Sequence, residues 1–340
     1  MAARALASQA RGIFTTLMAA MALAAAAQDA SAQAPTDAQV VAWPNRTITL
    51  IAPNPPGGGF DTVARVLAER MRPLLGQPVV VENRTGAGTR VGTQAAAKAA
   101  PDGYTLLIGA LSNIALNPGL YEKLPYDPAR DFKLVGLAVT WSYTLVARRD
   151  LPQQSLVDLI AFAKANPEKI TYGSAGNGSG QHVAMAVTEK LSGVKLTHVP
   201  YRGAQEAYQD LLGGRIDLLF DISSTAKPQA EGGVVKALAV SSKERQPFHP
   251  DVPSVYETGV APLDMESWFG LFAPAGTPEP ILAKLRKAMA DVMAMPDVQE
   301  LFAKSGGRVS KLTPAEAEAK VSSDIARWTA LIPQAGVKGD

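Results

Sequence analysis

Residues 48–70 read ITLIAPNPPGGGFDTVARVLAER. Ile48, Leu50 and Ile51 supply the apolar run of a buried strand. Pro53, Pro55 and Pro56 end it, because proline has no N–H to give to a sheet ladder. Gly57, Gly58 and Gly59 then make a tight turn. Phe60-Asp61-Thr62 opens a helix, with Asp61 or Thr62 placed to cap its first N–H groups. Val63, Val66 and Leu67 continue one apolar face at helical spacing. A glycine turn at a helix N-terminus presents unpaired donors and the positive end of the helix dipole, which is a natural anion site. The same residues also fit a plain strand-to-helix connection. Both readings stay open on this stretch alone.

Outward from it, the pattern repeats. A short strand at 79–81 leads to the glycine turn NRTGAG at 83–88, an alanine-rich helix at about 89–99 and a strand at 104–108. Strand, helix, strand, helix, strand at this spacing marks a parallel α/β sheet. Residues 117–131 are turn-rich and read as irregular. Strands at 134–139 and 143–147 flank Trp141-Ser142, which reads as the crossing point between two domains. Ser155 caps a helix to Ala165. A strand at 169–172 then runs into a second glycine-rich turn, GSAGNGSG at 173–180, and a helix at 181–191. Further strands are expected at 196–199, 216–220 and 235–240, with a helix at 204–212. A strand at 268–273 returns to the first unit. Thr277 is placed to cap the next helix, with Pro278 at its first position, where a missing N–H costs nothing. Helices at 298–303 and 314–331 close the chain.

Composition narrows the function. The chain has 340 residues, enough for two domains, and 47% of them are hydrophobic. A net charge of +2, from 33 basic and 31 acidic residues, leaves no electrostatic footprint for nucleic acid. Residues 1–32 read as an export signal: Arg4 and Arg11, an apolar run at 13–27, and the small-residue pattern Ala30-Ser31-Ala32. An uncleaved membrane anchor is the competing reading, and 25–27 is a second cleavage pattern. The absence of cysteine rules out a disulfide, a thiol nucleophile and a lipid-bearing cysteine.

Catalytic motifs do not fit. The first turn lacks the Gly-Lys-Ser/Thr of a P-loop, and Thr62 stands where G-x-G-x-x-G needs its third glycine. Ser179 lacks the glycines of a nucleophile elbow. His182 lies near Ser174 and Ser179, which leaves a serine–histidine pair, and so a secreted hydrolase, as a reading without a third member. His182, His198 and His249 have no metal-ligand spacing, so neither metal nor cofactor is expected. Asp217 reads as a solvated strand residue, and Asp221 as a strand-end group able to face a cleft. Trp141, Trp268 and Tyr201 are read first as core and second as pocket aromatics. Binding groups outnumber catalytic ones.

An ordered set of segments carries a resemblance. WPNRTITLIAPNPPGGGFDTVARVLAERM, GQPVVVENRTGAG, AAPDGYTLLIG, LNPGLYEKLPYDPARDF, ITYGSAGNGSGQHVA, HVPYRGAQEAYQDLLGGRIDLLFD, VKALAVSS, HPDVPSVYETGV and SWFGLFAPAGTP span residues 43–278. Together they resemble the substrate-binding proteins of the tripartite tricarboxylate transporter family, also called the Bug family. The resemblance implies an α/β, two-domain hinged periplasmic binding protein of the Venus-flytrap type, each domain a mainly parallel sheet flanked by helices. The expected division is 43–142 plus 263–340 for domain 1 and 143–262 for domain 2. It further implies capture of a small organic carboxylate by backbone amides of both glycine turns, and delivery to the membrane permease subunits of a tripartite transporter. A periplasmic sensor that presents the ligand to a membrane kinase is the alternative. The protein is expected to be a periplasmic monomer, cleaved near Ala32, and not an enzyme.

Carried over position by position, the expected contacts of the first domain are Pro56, Gly57, Gly58, Gly59, Phe60, Asp61, Ser112 and Asn113. Those of the second are Ser174, Ala175, Gly176, Gly178, Ser179, Gln181, Tyr201 and Asp221. Asn54, Phe60, Asn113, Gln181 and Ile222 depart from the usual family pattern around the pocket. Phe60 either offers an aromatic face or shrinks the pocket. Asp61, a carboxylate in the first helical turn, is expected to cap the turn and steer ligand amino groups or water, leaving the anion to the backbone of residues 58–60.

Overall fold

The computed structural model describes residues 42–339, so the expected export signal lies outside the described residues. The first half opens with β1 (Ile48–Ala52), α1 (Gly59–Leu75), β2 (Val79–Asn83), α2 (Arg90–Ala97) and β3 (Thr105–Ala110). β1 pairs in parallel with both β2 and β3, as the spacing predicts. After β3 the chain makes a π-helical turn (Leu111–Leu116) and two short helices, α3 (Asn117–Leu120) and α4 (Pro128–Asp131). The two short helices occupy the ends of the segment expected to be irregular at 117–131, and residues 121–127 between them are in neither helix nor strand. Every residue of the π-helical turn is buried, so its backbone must pair internally rather than with water.

β4 (Phe132–Arg148) is one continuous strand rather than two strands broken at Trp141-Ser142. Its first part pairs antiparallel with β9 (Glu266–Pro274) through Ser142. From Tyr143 onward it pairs antiparallel with β7 (Leu218–Ile222), and from Thr144 also with β8 (Val235–Val240). Trp141 and Ser142 are buried within this run, so the change of partner occurs without a turn. Between these pairings lie α5 (Leu156–Ala165), β5 (Thr171–Ser174), α6 (Gly180–Ser192), β6 (Thr197–Pro200), α7 (Ala204–Leu212) and α8 (Ser223–Glu231). β5 pairs in parallel with β6 and β7. Each half therefore has the expected parallel core, joined to antiparallel strands through β4 and β9.

The last elements are α9 (Glu279–Ala294), α10 (Pro296–Lys304), β10 (Arg308–Val309) and α11 (Pro314–Gln334). Thr277 does not cap α9. Its hydroxyl donates to Pro274 O at 2.7 Å, and Pro278 is the capping residue with no side-chain bond. Trp141 and Trp268, both fully buried, belong to the core as first read. The Trp268 indole donates to Asp324 Oδ2 at 2.7 Å, which ties α11 to the sheet. Among the described residues no helix is long and apolar enough to cross a membrane.

Candidate functional site

α1 and α6 start at the C-terminal ends of β1 and β5, where open α/β sheets place their ligands. Both N-termini open on one cavity of about 970 Å³. Of the expected contacts, Pro56, Gly58, Gly59, Phe60, Ser112, Ala175, Gly176, Ser179, Gln181, Tyr201 and Asp221 line it. The two halves touch across it. A Cβ on Gly59 would stand 2.7 Å from Ile222 Cδ1, and one on Gly178 would stand 2.9 Å from Tyr121 Oη.

The backbone donors divide into spent and free. The Gly57 N–H donates to Asp61 Oδ2 at 3.1 Å. In the second turn, Gly176 N donates to Ser174 Oγ at 3.2 Å, Gly178 N to His182 Nδ1 at 3.1 Å and Ser179 N to Gly176 O at 3.1 Å. What remains is the first turn of each helix. The N–H groups of Gly58, Gly59, Phe60, Gly180 and Gln181 have no acceptor among the described residues, and all five residues line the cavity. Unpaired N–H groups from two helix ends, with their dipoles, suit an anion.

The other expected contacts sit outside the cavity wall, each for a physical reason. Asp61 lies beneath the turn it caps, with its carboxylate accepting from Gly57 N, Arg65 Nε at 2.8 Å and Asn83 Nδ2 at 3.0 Å. Burial pushes its carboxyl up, but those hydrogen bonds outweigh burial and hold it below the usual range. Its acceptors are occupied, so it is not set to steer a ligand. Asn113 is fully buried; its Oδ1 accepts from Ala110 N at 2.7 Å and its Nδ2 donates to Thr93 Oγ1 at 3.0 Å. Ser174 is buried and its hydroxyl meets His198 Nε2 at 2.7 Å. Gly57 and Gly178 shape their turns, with φ of 87° and 76°.

The serine–histidine reading at Ser179 does not hold. Its hydroxyl accepts from the His182 backbone N–H at 3.3 Å as the cap of α6, while the His182 ring stacks on His198 at 4.1 Å. Asp217 is not solvated; it accepts from Arg148 Nε and Thr171 N, both at 2.8 Å. Among the described residues no group of three His, Asp or Glu side chains is placed to hold a metal.

Asp221 reaches the cavity from β7 while only 1% exposed. Gln181 Nε2 and the Ile222 N–H each donate to its Oδ1 at 2.8 Å, and the Thr225 hydroxyl donates to Oδ2. Burial raises its carboxyl to about 6, with these bonds pulling the other way. Tyr201 lines the same wall, its hydroxyl donating to Asp210 at 2.8 Å; burial and that carboxylate push it up to about 12. Phe60 borders the cavity, but its ring does not fill it. Its ring packs edge-on against Phe269 at 5.2 Å and is 5% exposed.

Residues absent from the sequence reading complete the wall: Tyr121, Tyr143, Thr225, Ser267 and the loop at 85–90. The loop was visible as a glycine turn. Tyr143, Thr225 and Ser267 lie in strands and a helix, and Tyr121 just past the end of α3, where nothing in a local pattern marks them as pocket residues.

Comparison with known proteins gives the family. The family model described as the tripartite tricarboxylate transporter family receptor matches residues 63–337. The protein BugT of Bordetella pertussis (strain Tohama I) is 34% identical over 297 residues, covering 87% of this chain and 91% of BugT. An R. palustris protein solved with adipate superposes with a TM-score of 0.83 at 33% identity, covering 87% of this chain and 99% of that one. MatC from Rhodopseudomonas palustris, solved with bound malate, gives 0.81 at 35% identity, covering 85% and 100%. The chain has the α/β fold of a periplasmic binding protein and belongs to the tripartite tricarboxylate transporter receptor family, also known as the Bug proteins.

Proposed function

We propose that this chain is a periplasmic receptor for a small organic carboxylate. It holds the ligand between two domains, 43–142 plus 263–340 and 143–262, and passes it as a monomer to the membrane permease subunits of a tripartite transporter. Residues 1–32 direct export and are removed near Ala32. The observation that carries the reading is the set of unpaired amides, Gly58 to Phe60 from one half and Gly180 and Gln181 from the other, around one cavity. The adipate and malate in the two related structures give it further support. Contacts from both halves give the closed form the greater affinity, so the ligand drives closure. No bond is made or broken.

The experiment is a thermal-shift panel of carboxylates followed by calorimetry. A bound carboxylate at about 100 times its Kd is expected to stabilise the protein by roughly 2.7 kcal/mol. Gly178→Val places a branched side chain against Tyr121 and Leu120 at the meeting of the two halves and is expected to abolish binding while the protein still melts cooperatively. Gly58→Val is the weaker probe, since its Cβ meets only Pro55 O at 4.0 Å. No response to any carboxylate, or wild-type affinity in Gly178→Val, removes the reading.

A further inference from the structure

Tyr121 takes no part in the capture described above, yet it stands where the two halves meet. It lies just past α3 and lines the cavity while only 8% exposed. Its hydroxyl sits between two glycines, one from each half. A Cβ on Gly88 or on Gly178 would stand 2.9 Å from Tyr121 Oη. Both glycines have positive φ, 59° and 76°, a second reason why neither position suits a side chain. The hydroxyl donates across the gap to Asn177 O at 3.5 Å, the outer limit of a hydrogen bond. Asn177 belongs to the second glycine turn, which leads into α6 and its unpaired Gly180 and Gln181 amides. Within its own half the ring is held from two further sides. The Arg90 guanidinium carbon lies 4.0 Å from the ring centroid, and Arg90 Nε donates to Ala87 O at 2.9 Å, which joins the loop at 85–90 to the ring. The end of the chain covers the ring's edge. Gly339 N donates to Leu120 O at 2.9 Å, and a Cβ on Gly339 would stand 2.0 Å from Tyr121 Cε1. Val337 anchors this segment in the core at 5% exposure. The last residues of the chain therefore pack on a side chain that touches the opposite turn.

We infer that Tyr121 is a latch on the closed state and that residues 337–339 are a strap that positions it. Closure seats the hydroxyl between Gly88 and Gly178 and against Asn177 O. Parting of the halves breaks its contacts with the second turn and leaves those with Arg90, Gly88 and Gly339 in place. A group that meets the opposite half only in the closed state stabilises that state alone. It slows ligand release and leaves capture unchanged. Arg90 and the strap fix the ring beforehand, so little side-chain freedom is lost on closing. The inference rests on the hinged-receptor reading above and adds what holds the closed form.

Stopped-flow kinetics on the purified protein test it, with whichever of succinate, malate, adipate, butyrate and hexanoate binds the wild type most tightly. Tyr121→Phe removes only the hydroxyl and is expected to raise the dissociation rate about 3- to 10-fold with the association rate unchanged. A chain ended at Val337 lacks residues 338–340 and keeps Tyr121, and it is expected to release ligand faster in the same way. Joined in one chain, the two changes are expected to cost less than the product of their separate effects, because both act on one side chain. A ligand-free melting temperature matching wild type confirms that a loss is not unfolding, and the shortened chain carries the test if Tyr121→Phe fails to fold. Wild-type release from either variant, a loss that falls on association, or two effects that multiply would overturn the latch and its strap. Carboxylate binding that persists in those cases leaves the receptor reading standing. A wild-type protein that binds none of the five ends both.

Discussion

Asp221 is a buried carboxyl without a counter-ion among the described residues, and this has a consequence for stability. The folded protein holds the Asp221 proton up to about pH 6, while an unfolded chain releases it near 3.8. Between those values the folded state binds more protons, so stability falls as pH rises through the window and stays lowered above it. The shift corresponds to about 3 kcal/mol. Asp221→Asn keeps the acceptor for Gln181 and Ile222 and removes the ionisation. Urea melts at pH 4 and pH 7.5 on ligand-free protein are expected to show the variant gaining on wild type at the higher pH. An equal difference at both pH values would mean that Asp221 does not titrate there. Asp61 acts in the opposite sense: its carboxyl is held low, so its contribution is present above the normal range and lost as pH falls. Residue roles were only partly legible in the sequence. The glycine turns identified which backbone borders the cavity, but not which N–H groups were spent. Gly57 and Gly178 lost theirs to Asp61 and His182, partners four residues along the chain whose rotamers no spacing rule fixes.

At the scale of elements, hydrophobic period marked the main helices and strands, but of the caps read from the sequence only Ser155 holds; Thr277 is not the cap of its helix, and α1 has Gly58 at its cap with no side-chain cap from Asp61 or Thr62. Ser155 accepts from Asp158 N at 3.1 Å as the cap of α5. Thr313 and Glu316, which the sequence reading did not single out, form a reciprocal capping box at the start of α11. Thr313→Ala is expected to cost about 1 kcal/mol, measured by chemical denaturation, with ligand affinity unchanged. A neutral substitution would show that the sheet contacts of α11, such as Trp268 to Asp324, hold the helix end without its cap. The elements that escaped sequence reading are those whose cause is not local. α8 is polar and contains Pro228, so propensity argues against it, yet Ala226 is fully buried and Ser223 Oγ donates to Ser142 O at 2.9 Å. β4 looked like two strands because it is buried on both faces and so lacks a two-residue alternation that would carry it through Trp141-Ser142.

At the scale of the whole molecule, the repeated order of strand, glycine turn and helix was legible from the sequence. The meeting of the two turns was not, because contacts such as Gly59 with Ile222 join residues far apart in the chain. The proposed hinge has a direct test in another such contact. A Cβ on Gly203 would lie 4.0 Å from Pro55 Cβ, across the mouth of the cavity. That separation falls in the range of about 3.5–4.5 Å that a disulfide spans. The chain has no cysteine, so Pro55→Cys together with Gly203→Cys creates a single possible pair. If ligand enters by parting of the two halves, oxidation without ligand closes the route, and calorimetry shows no binding until reductant is added. Oxidation with ligand present traps it, so that it survives dialysis and leaves on reduction. Fast exchange in the oxidised protein would mean that the cavity fills by a path that does not require the halves to separate, and the hinged mechanism would then be wrong even if the carboxylate site is right.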